Sequence, residues 1–223
     1  MNAETFLNLA DLGDGDGMKL SNKTLKQFQD LEDLDIEGDT LSLTSTIESL
    51  QPRLCNIIAL AEFDTKFDLT LIASSVRNAE YRPKRFQAVI LRIEEPKATG
   101  MVFANGKINI VGCRTPENSH RAAQKFGRIL KKIRYSNLHM INFSIRSMVG
   151  TVKCPFRIRL EALARDQNHY RFARYTPENF SGVVYRIKSL QVTLLIFASG
   201  SIILTGAKSE DELKQAVEFI YPI

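Results

Sequence analysis

Four phenylalanines and a run of cations carry the main chemical signal of this 223-residue sequence. Phe86 and Phe103 recur 94 positions later as Phe180 and Phe197, and Arg82–Arg85 (RPKR) places three cations beside the first ring. Apolar rings can separate the base steps of a nucleic acid while neighbouring cations neutralise its phosphates. A single phenylalanine is more often a core residue, but two pairs in register favour the interpretation as wedges.

The segments that must position these rings are repeated as well. Met101–Gly112 reads MVFANGKINIVG, and Leu195–Gly206 reads LIFASGSIILTG. Each contains two strand-like runs around a short turn with Asn-Gly or Ser-Gly, which is a β-hairpin pattern. Further identities at the same offset link Tyr81–Thr99 with Tyr175–Thr193. The sequence therefore predicts two copies of one unit of roughly 85 residues.

Each copy has the same predicted order of elements. A strand opens it, a short helix and three or four strands follow, and a long amphipathic helix closes it. The first closing helix begins at Thr115 and Pro116, which fit the N-cap and N1 positions, and Ser209 with Glu212 forms a capping-box pattern before the second. Helices segregated from an antiparallel sheet predict an α+β fold, with repeats at 54–141 and 142–223.

Charge is unevenly divided along the chain. Residues 1–52 hold eleven acidic and three basic side chains, whereas residues 53–223 hold 27 basic and 14 acidic ones, a net of +13. This division favours a polyanionic partner for the basic body, although a solubility tail beside an ordinary domain would give the same totals. We expect 1–52 to be a disordered acidic tail and 53–223 to be the folded core.

Two segments of the tail are candidate motifs. Asp11–Lys19 fits neither a phosphate loop nor a calcium loop and is typical of a linker. Phe28–Ile36 could form a short amphipathic helix that docks on a partner or on the body.

The strands of the second hairpin are apolar on both faces. Leu194 and Ile196 share one face, and Leu195 and Phe197 share the other. Each copy supplies enough helix to cover only one face, so the other face either binds a partner or is covered by the tail or a second copy of the chain. An apolar sheet edged with cations suits the DNA minor groove, where recognition needs few hydrogen bonds.

Other classes of function have weaker support in the sequence. His120, His139 and His169 show no metal-ligand spacing, and no nucleophile–base pattern stands out, so we expect no enzyme, no cofactor and no small-molecule substrate. No second helical domain is present for a DNA glycosylase, and no RNP1 pattern for an RNA-binding sheet. No apolar run is long enough to cross a membrane, and the three cysteines fit reduced thiols inside a cell.

Several segments resemble the core of the TATA-box-binding protein family, over almost all of Leu54–Ile223. They read RNAEYRPKRFQAVILRI, FANGK, YTPENF and LLIFASGSIILTGAKSE. The resemblance implies a duplicated saddle: a curved ten-stranded antiparallel sheet that grips the minor groove, with helices on its convex face. It also implies a nuclear transcription initiation factor for double-stranded promoter DNA, kinked by insertion of Phe86 with Phe103 and of Phe180 with Phe197. The alternative is an adaptor that contacts only proteins. The retention of all four rings argues against it, because exposed aromatic rings without a function would lower solubility.

The same resemblance assigns three further sets of residues by position. The minor-groove base contacts are Asn56, Ile58, Met101, Asn109, Val111, Ser147, Val149, Leu195, Ile203 and Thr205. The phosphate contacts are Arg85, Arg92, Asn105, Lys107, Arg186 and Ser199. The surface for protein partners comprises Glu178, Lys125, Arg128 and Lys132. The implied partners resemble transcription factors IIA and IIB or a polymerase III initiation factor, although the three cations could equally form a solvated helix face.

This chain departs from the family pattern at the centre of the predicted contact surface. Asn56 and Thr205 match the family, but Ser147 stands where it has Asn and Val111 where it has Thr. Val111 cannot form a hydrogen bond, and Ser147 offers a single hydroxyl. In the second hairpin, Ser201 replaces a lysine that reaches phosphate. We therefore expect DNA binding to persist with a relaxed or altered preference for TATA.

Overall fold

The structure is a computed structural model that describes residues 50–220. The predicted tail, with Asp11–Lys19 and Phe28–Ile36, lies outside the described residues except for its last three positions. No helix within 50–220 is long and apolar enough to span a bilayer. In the same part of the chain, no three His, Cys, Asp or Glu side chains are grouped so as to hold a metal ion.

The described residues form a ten-stranded sheet and four helices, which is the α+β architecture that the sequence predicts. The elements are β1 (Arg53–Phe63), α1 (Leu69–Ser75), β2 (Ala79–Tyr81), β3 (Ala88–Ile93), β4 (Ala98–Phe103), β5 (Lys107–Cys113), α2 (Pro116–Ile133), β6 (Met140–Lys153), α3 (Leu160–Arg165), β7 (Ala173–Tyr175), β8 (Val183–Ile187), β9 (Val192–Ile196), β10 (Ser201–Ala207) and α4 (Glu210–Ile220). Residue contacts divide the described residues into a first unit, Cys55–Ser147, and a second unit that comprises 50–54 and 148–220.

In the first unit the strand order is β2-β3-β4-β5-β1, and neighbouring strands are antiparallel. Helix α2 begins where the sequence predicts, because the Thr115 hydroxyl accepts a hydrogen bond from the Asn118 N–H at 3.2 Å and Pro116 follows it. Its apolar side packs on β4 and β5, where Gly100 leaves room for the Phe126 ring. This packing buries the helix-facing side chains of the strands.

In the second unit the order is β6-β10-β9-β8-β7, again antiparallel, and α4 packs on β10 and β9. The predicted capping box is present in a variant form. The Glu212 N–H donates to Ser209 Oγ at 3.2 Å, but the Glu212 carboxylate accepts from the Lys208 N–H at 2.7 Å instead of from Ser209. Two N–H donors at the helix start are therefore satisfied, but the second belongs to Lys208, one residue before the predicted N-cap.

The two hairpin turns have the same backbone construction. Gly106 and Gly200 adopt φ values of +90° and +86°, which side-chain-bearing residues rarely adopt. The Gly106 carbonyl accepts from the Phe63 N–H at 2.9 Å, and the Gly200 carbonyl accepts from the Cys154 N–H at 2.8 Å. These bonds make Phe63 and Cys154 equivalent positions, so the duplication extends to the strands that precede each hairpin.

Candidate nucleic-acid interface

Side chains in each unit point either toward that unit's helices or away from them, and we call the side away from the helices the outward face. In β3, Val89, Leu91 and Ile93 belong to the helix-side core, so the residues between them point outward. In β6, a side chain at Gly150 would meet Leu213 of α4, which places Val149 on the outward face.

The predicted base contacts lie on this face. In the first unit Met101 pairs with Asn109, and Thr99 pairs with Val111, across β4 and β5. In the second unit the outward pairs are Leu195 with Ile203, Thr193 with Thr205, and Thr205 with Val149. The structure therefore groups, within each unit, side chains that are far apart in the sequence, because antiparallel pairing sets outward positions opposite each other.

These outward side chains are buried. Met101 and Leu195 are each 0 % exposed, and Ile58, Val111 and Ile203 are 1–2 % exposed. None of them belongs to the helix-side core of the first unit, and the helices described within 50–220 pack on the opposite face of their unit. The outward face of each unit is therefore an apolar surface on which no helix within residues 50–220 packs.

Two polar side chains on the outward face carry unpartnered donors. Asn56 Oδ1 accepts from the Gly112 N–H at 2.7 Å, but among the described residues its Nδ2 group has no hydrogen-bond partner, although it is buried. In the second unit, Thr205 Oγ1 is likewise buried and has no hydrogen-bond partner among the described residues. A buried polar group without a partner costs about 1–3 kcal/mol, so each of these positions favours a ligand that supplies an acceptor.

The two positions that depart from the family lack such donors. Val111 is an apolar outward residue opposite Thr99. Ser147 is buried and already has an interaction partner. Asn109 is partly buried beside Met101 and adds a polar group to an otherwise apolar row. Among residues 50–220, each unit thus has one outward side chain with a buried donor that lacks a partner, an amide in the first unit and a hydroxyl in the second.

The four phenylalanines form two matched pairs. Phe86 and Phe103 have ring centroids 6.0 Å apart at 75°, and Phe180 and Phe197 are 5.5 Å apart at 68°. The first ring of each pair ends a tight turn: the Phe86 N–H donates to the Arg82 carbonyl at 2.9 Å, and that of Phe180 to the Thr176 carbonyl at 3.0 Å. The second ring lies beside the hairpin turn, where β4 ends and just after β9.

The two pairs differ in exposure. Phe86 and Phe103 are partly buried, and Phe180 and Phe197 are only 2 % and 1 % exposed. The two rings of the second pair pack edge-to-face on each other. Their insertion between base steps stays a prediction.

Two of the predicted phosphate contacts are held by carboxylates. Lys107 Nζ lies 3.3 Å from Glu62 Oε1, and Arg92 Nη1 lies 3.5 Å from Glu80 Oε2. Both cations remain exposed. Asn105 Oδ1 accepts from the Lys107 N–H at 3.2 Å and so shapes the hairpin turn. Exposed ion pairs of this kind are weak, so a phosphate can compete for the cation.

The remaining predicted phosphate contacts already have partners in the structure. The Ser199 hydroxyl lies 3.1 Å from Ser201 Oγ in the second hairpin. Arg85 and Arg186 each take part in an interaction as well.

The structure also adds a cation that the sequence analysis missed. Lys153 is paired in register with Ser201, as Glu62 is with Lys107 in the first unit. Lys153 Nζ donates to Ser201 Oγ at 3.0 Å. Lys153 therefore places an ammonium group beside Ser201, on the strand next to the second hairpin. Only the register of β6 with β10 shows this, and a single sequence does not give that register.

The predicted protein-binding side chains lie away from the outward face. Glu178 is exposed in the turn that precedes Phe180. On α2, Arg128 and Lys132 are exposed, whereas Lys125 is partly buried and its ammonium donates to the Glu95 carbonyl. Lys125 thus also holds the loop between β3 and β4 against α2.

Burial shifts the pKa of three side chains, and one of them, Cys113, lies on the helix side of its unit. Burial raises the pKa of the Cys113 thiol to about 11, and it also raises the pKa of Cys154 and Tyr185. Cys113 belongs to the helix-side core. A thiol with so high a pKa is protonated at neutral pH and is a poor nucleophile.

Comparison with known proteins identifies the family. The sequence matches the model of "Transcription factor TFIID (or TATA-binding protein, TBP)" twice, over residues 51–133 and 142–223. The chain belongs to the TATA-binding protein family. Its two matched segments together cover most of the chain, in keeping with the predicted duplication.

Individual relatives agree with this assignment. The TATA-box-binding protein of Schizosaccharomyces pombe is 40% identical over 221 residues, which cover 99% of this chain and 92% of that protein. That of Emericella nidulans is 46% identical over 172 residues, 77% of this chain and 63% of the relative. The chain thus spans a little under two thirds of this second relative. "Methanococcus jannaschii TBP" is similar in structure, with a TM-score of 0.63 and 29% identity over 76% of this chain and 95% of that one.

Family membership confirms the main predictions on fold and class. The fold is the ten-stranded α+β fold of TATA-binding proteins. The chain is a DNA-binding protein of transcription initiation and not an enzyme.

Proposed function

We propose that this protein binds promoter DNA in the nucleus through its outward face, and bends the duplex with its two phenylalanine pairs. The observation that carries the proposal is the pair of unpartnered buried donors, Asn56 Nδ2 and Thr205 Oγ1. Adenine N3 and thymine O2 are acceptors on the minor-groove edges of A·T pairs, and they match what these donors lack. Surrounding apolar side chains such as Met101 and Leu195 suit the narrow groove, which presents few other polar groups.

The phenylalanine pairs suit insertion between base steps. Each pair joins a turn residue to a ring beside the hairpin turn, so both rings are held by backbone hydrogen bonds and by each other. Lys107 in the first unit and Lys153 in the second stand near these turns and provide cations for the flanking phosphates. Insertion of apolar wedges costs unstacking energy, which the wider contact on bent DNA offsets.

The preference for TATA is relaxed or altered in this proposal. Val111 has a methyl group where the family has a hydroxyl, and Ser147 already takes part in another interaction. Each lost base contact reduces discrimination by about 1–3 kcal/mol, while backbone contacts and DNA deformability keep overall affinity. Val111→Thr together with Ser147→Asn should therefore sharpen the ranking of TATA over altered sites, measured by competition binding.

The donor assignment is tested by removing one hydroxyl at a time. Thr205→Val keeps the shape of the side chain, and we expect it to weaken binding to a fluorescein-labelled TATA duplex by about 5- to 150-fold. Ser119→Ala is the matched control, because Ser119 Oγ is also buried and unpartnered among the described residues but lies in α2, away from the outward face. Equal effects of the two substitutions would show that Thr205 does not contact DNA.

The wedge assignment is tested by bending. Phe86→Ala with Phe103→Ala should abolish bending of an end-labelled duplex, followed by energy transfer, while the melting temperature of the protein changes little because both rings are only partly buried. Full bending by this double variant would exclude a wedge role for these two rings.

Basal factors are the proposed partners of the bent complex. Arg128 and Lys132 are exposed on α2 and would contact a factor resembling IIA, and Glu178 a factor resembling IIB or a polymerase III initiation factor. Arg128→Glu and Glu178→Arg should each remove one factor from the DNA complex in a gel-shift assay without affecting the other. Recruitment of these factors by a protein that does not bend DNA would instead support the adaptor alternative.

A further inference from the structure

The two units differ in the polar groups that their outward faces present. Asn109 is paired with Met101 across β4 and β5, and Ile203 is paired with Leu195 across β9 and β10. Because the two hairpins have the same construction, this register makes Asn109 and Ile203 equivalent positions. The first unit therefore has a carboxamide at the point where the second unit has an aliphatic side chain.

The Asn109 carboxamide lies on the outward face. Its neighbours along β5, Ile108 and Ile110, belong to the helix-side core, so strand alternation points Asn109 away from the helices. The side chain is partly buried, and among the described residues it forms no hydrogen bond. A carboxamide has two N–H donors and one carbonyl acceptor. A ligand that covers Asn109 must therefore supply a donor as well as an acceptor, or it leaves a buried polar group without a partner.

Asn56 in the same unit offers a ligand only its donors. Its Oδ1 accepts from the Gly112 N–H at 2.7 Å, and its Nδ2 group has no partner within residues 50–220. This donor matches the acceptors that A·T pairs present in the minor groove. Asn109 differs from Asn56 because its carbonyl oxygen is also open to a ligand.

Guanine supplies the donor that the Asn109 carbonyl lacks. A·T and T·A pairs present only acceptors in the minor groove, whereas a G·C pair adds the N2 amino group of guanine. Against a G·C pair, Asn109 Oδ1 accepts from this amino group while Nδ2 donates to a base-edge acceptor. Against an A·T pair, Oδ1 is covered without a partner.

The equivalent point of the second unit excludes guanine by the same reasoning. Ile203 is 2 % exposed and cannot accept a hydrogen bond, so the amino group of a guanine placed against it would lose its water without gaining a partner. Thr151, which is paired with Ile203 across β6 and β10, already takes part in an interaction. An A·T pair, which has no minor-groove donor, suits this point better.

We propose that Asn109 makes this protein prefer a G·C pair at one position of the half-site that the first unit contacts, while Ile203 requires an A·T pair at the equivalent position of the other half. This inference rests on the proposed function, because it specifies the DNA sequence that the outward face binds. The preferred site is then asymmetric, rich in A·T with one G·C pair, and the asymmetry orients the protein on the duplex.

Inosine substitution tests the guanine contact with the natural full-length protein. Each A·T pair in one half of a self-complementary A·T site is replaced in turn by G·C and by I·C, and affinities are measured by competition with a labelled duplex. Inosine lacks only the N2 amino group of guanine, so the ratio of the two affinities isolates that group. We expect one position at which G·C binds about 5- to 150-fold more tightly than I·C. The absence of any such position would overturn the proposal.

Substitution in both halves tests the asymmetry. At the position found above, a duplex with G·C in one half and I·C in the other is compared with a duplex that has G·C in both halves. We expect the second duplex to bind less tightly to the natural protein, because its second guanine lies against Ile203. Tighter binding of the duplex with two G·C pairs would show that both units accept guanine, and it would overturn the asymmetry.

Exchange of the two equivalent residues assigns the contact. Asn109→Val should abolish the preference for G·C over I·C, because an aliphatic side chain cannot accept from guanine. The matched variant Ile203→Asn places a second carboxamide in the other unit, and it should make the duplex with G·C in both halves the tighter of the two. A preference that survived in Asn109→Val would overturn the assignment to Asn109. The inosine comparison in the natural protein decides on the guanine contact without any variant.

The outcomes separate this inference from the proposed function. If the natural protein binds and bends the A·T duplex but never favours G·C over I·C, the proposed function stands and the role of Asn109 fails. If it binds no duplex of the series, the proposed function fails and this inference fails with it.

Discussion

The two units have the same arrangement of backbone elements but differ in the side chains that pack in their cores. In the first, Phe67 packs on Phe63 at 6.0 Å and edge-on against Tyr135 at 5.3 Å between ring centroids. In the second, the positions equivalent to Phe63 and Phe67 are Cys154 and Ile158, as the bonds to each hairpin turn show. There a cavity of about 460 Å³ lies between the sheet, α3 and α4.

The comparison separates the features that the two units share from those in which they differ. Both units keep the hairpin glycine with positive φ, the turn before the first phenylalanine and the edge-to-face ring pair. They differ in the core behind the hairpin and in the outward donor. The backbone that positions the rings is therefore alike in the two units, while the side chains that pack behind it differ.

The largest expected difference concerns stability. Phe67→Ala should lower the free energy of unfolding by about 3–5 kcal/mol, because the ring is 4 % exposed and its removal opens a cavity in a packed aromatic cluster. Ile158→Ala, at the equivalent position beside an existing cavity, should cost less than about 2 kcal/mol because this side chain is only partly buried. Urea unfolding followed by circular dichroism measures both. Equal costs would mean that the cavity does not weaken the second unit.

A smaller difference is expected on filling that cavity. Ile158→Phe places in the second unit the ring that the first unit has at Phe67, and it should raise the melting temperature by a few degrees if the ring enters the open space. Phe67→Trp is the control for adding volume where no cavity exists, and it should destabilise the first unit. A melting temperature lowered by both substitutions would show that the cavity is not available to side chains.

The smallest effect should fall on salt dependence. Lys107→Ala and Lys153→Ala each remove one cation beside a hairpin, and each should reduce the slope of log K against log salt by about one. The two effects should be alike although the lysines stand on different strands, because the register places both at corresponding pairs. A loss confined to Lys107→Ala would show that Lys153 does not replace the lysine missing at Ser201.

The sequence predicted the repeat, the hairpins, the N-cap at Thr115 and the family because these depend on residue identities at fixed spacing. It did not predict Lys153, since a pairing register is set by long-range contacts. Strand alternation shows which way a side chain points, but it does not give the low exposure of Phe180 and Phe197, which depends on the packing around them. The contacts of the site residues with DNA stay predictions.

The most direct test of the central claim is bending of an end-labelled TATA duplex by the full-length protein, with duplexes altered in one half of the site as comparison. The account predicts bending of the TATA duplex that is reduced, but not abolished, by alteration of either half, because each unit supplies one outward donor and one phenylalanine pair. Absence of bending with every duplex, at protein concentrations that saturate binding, would contradict it.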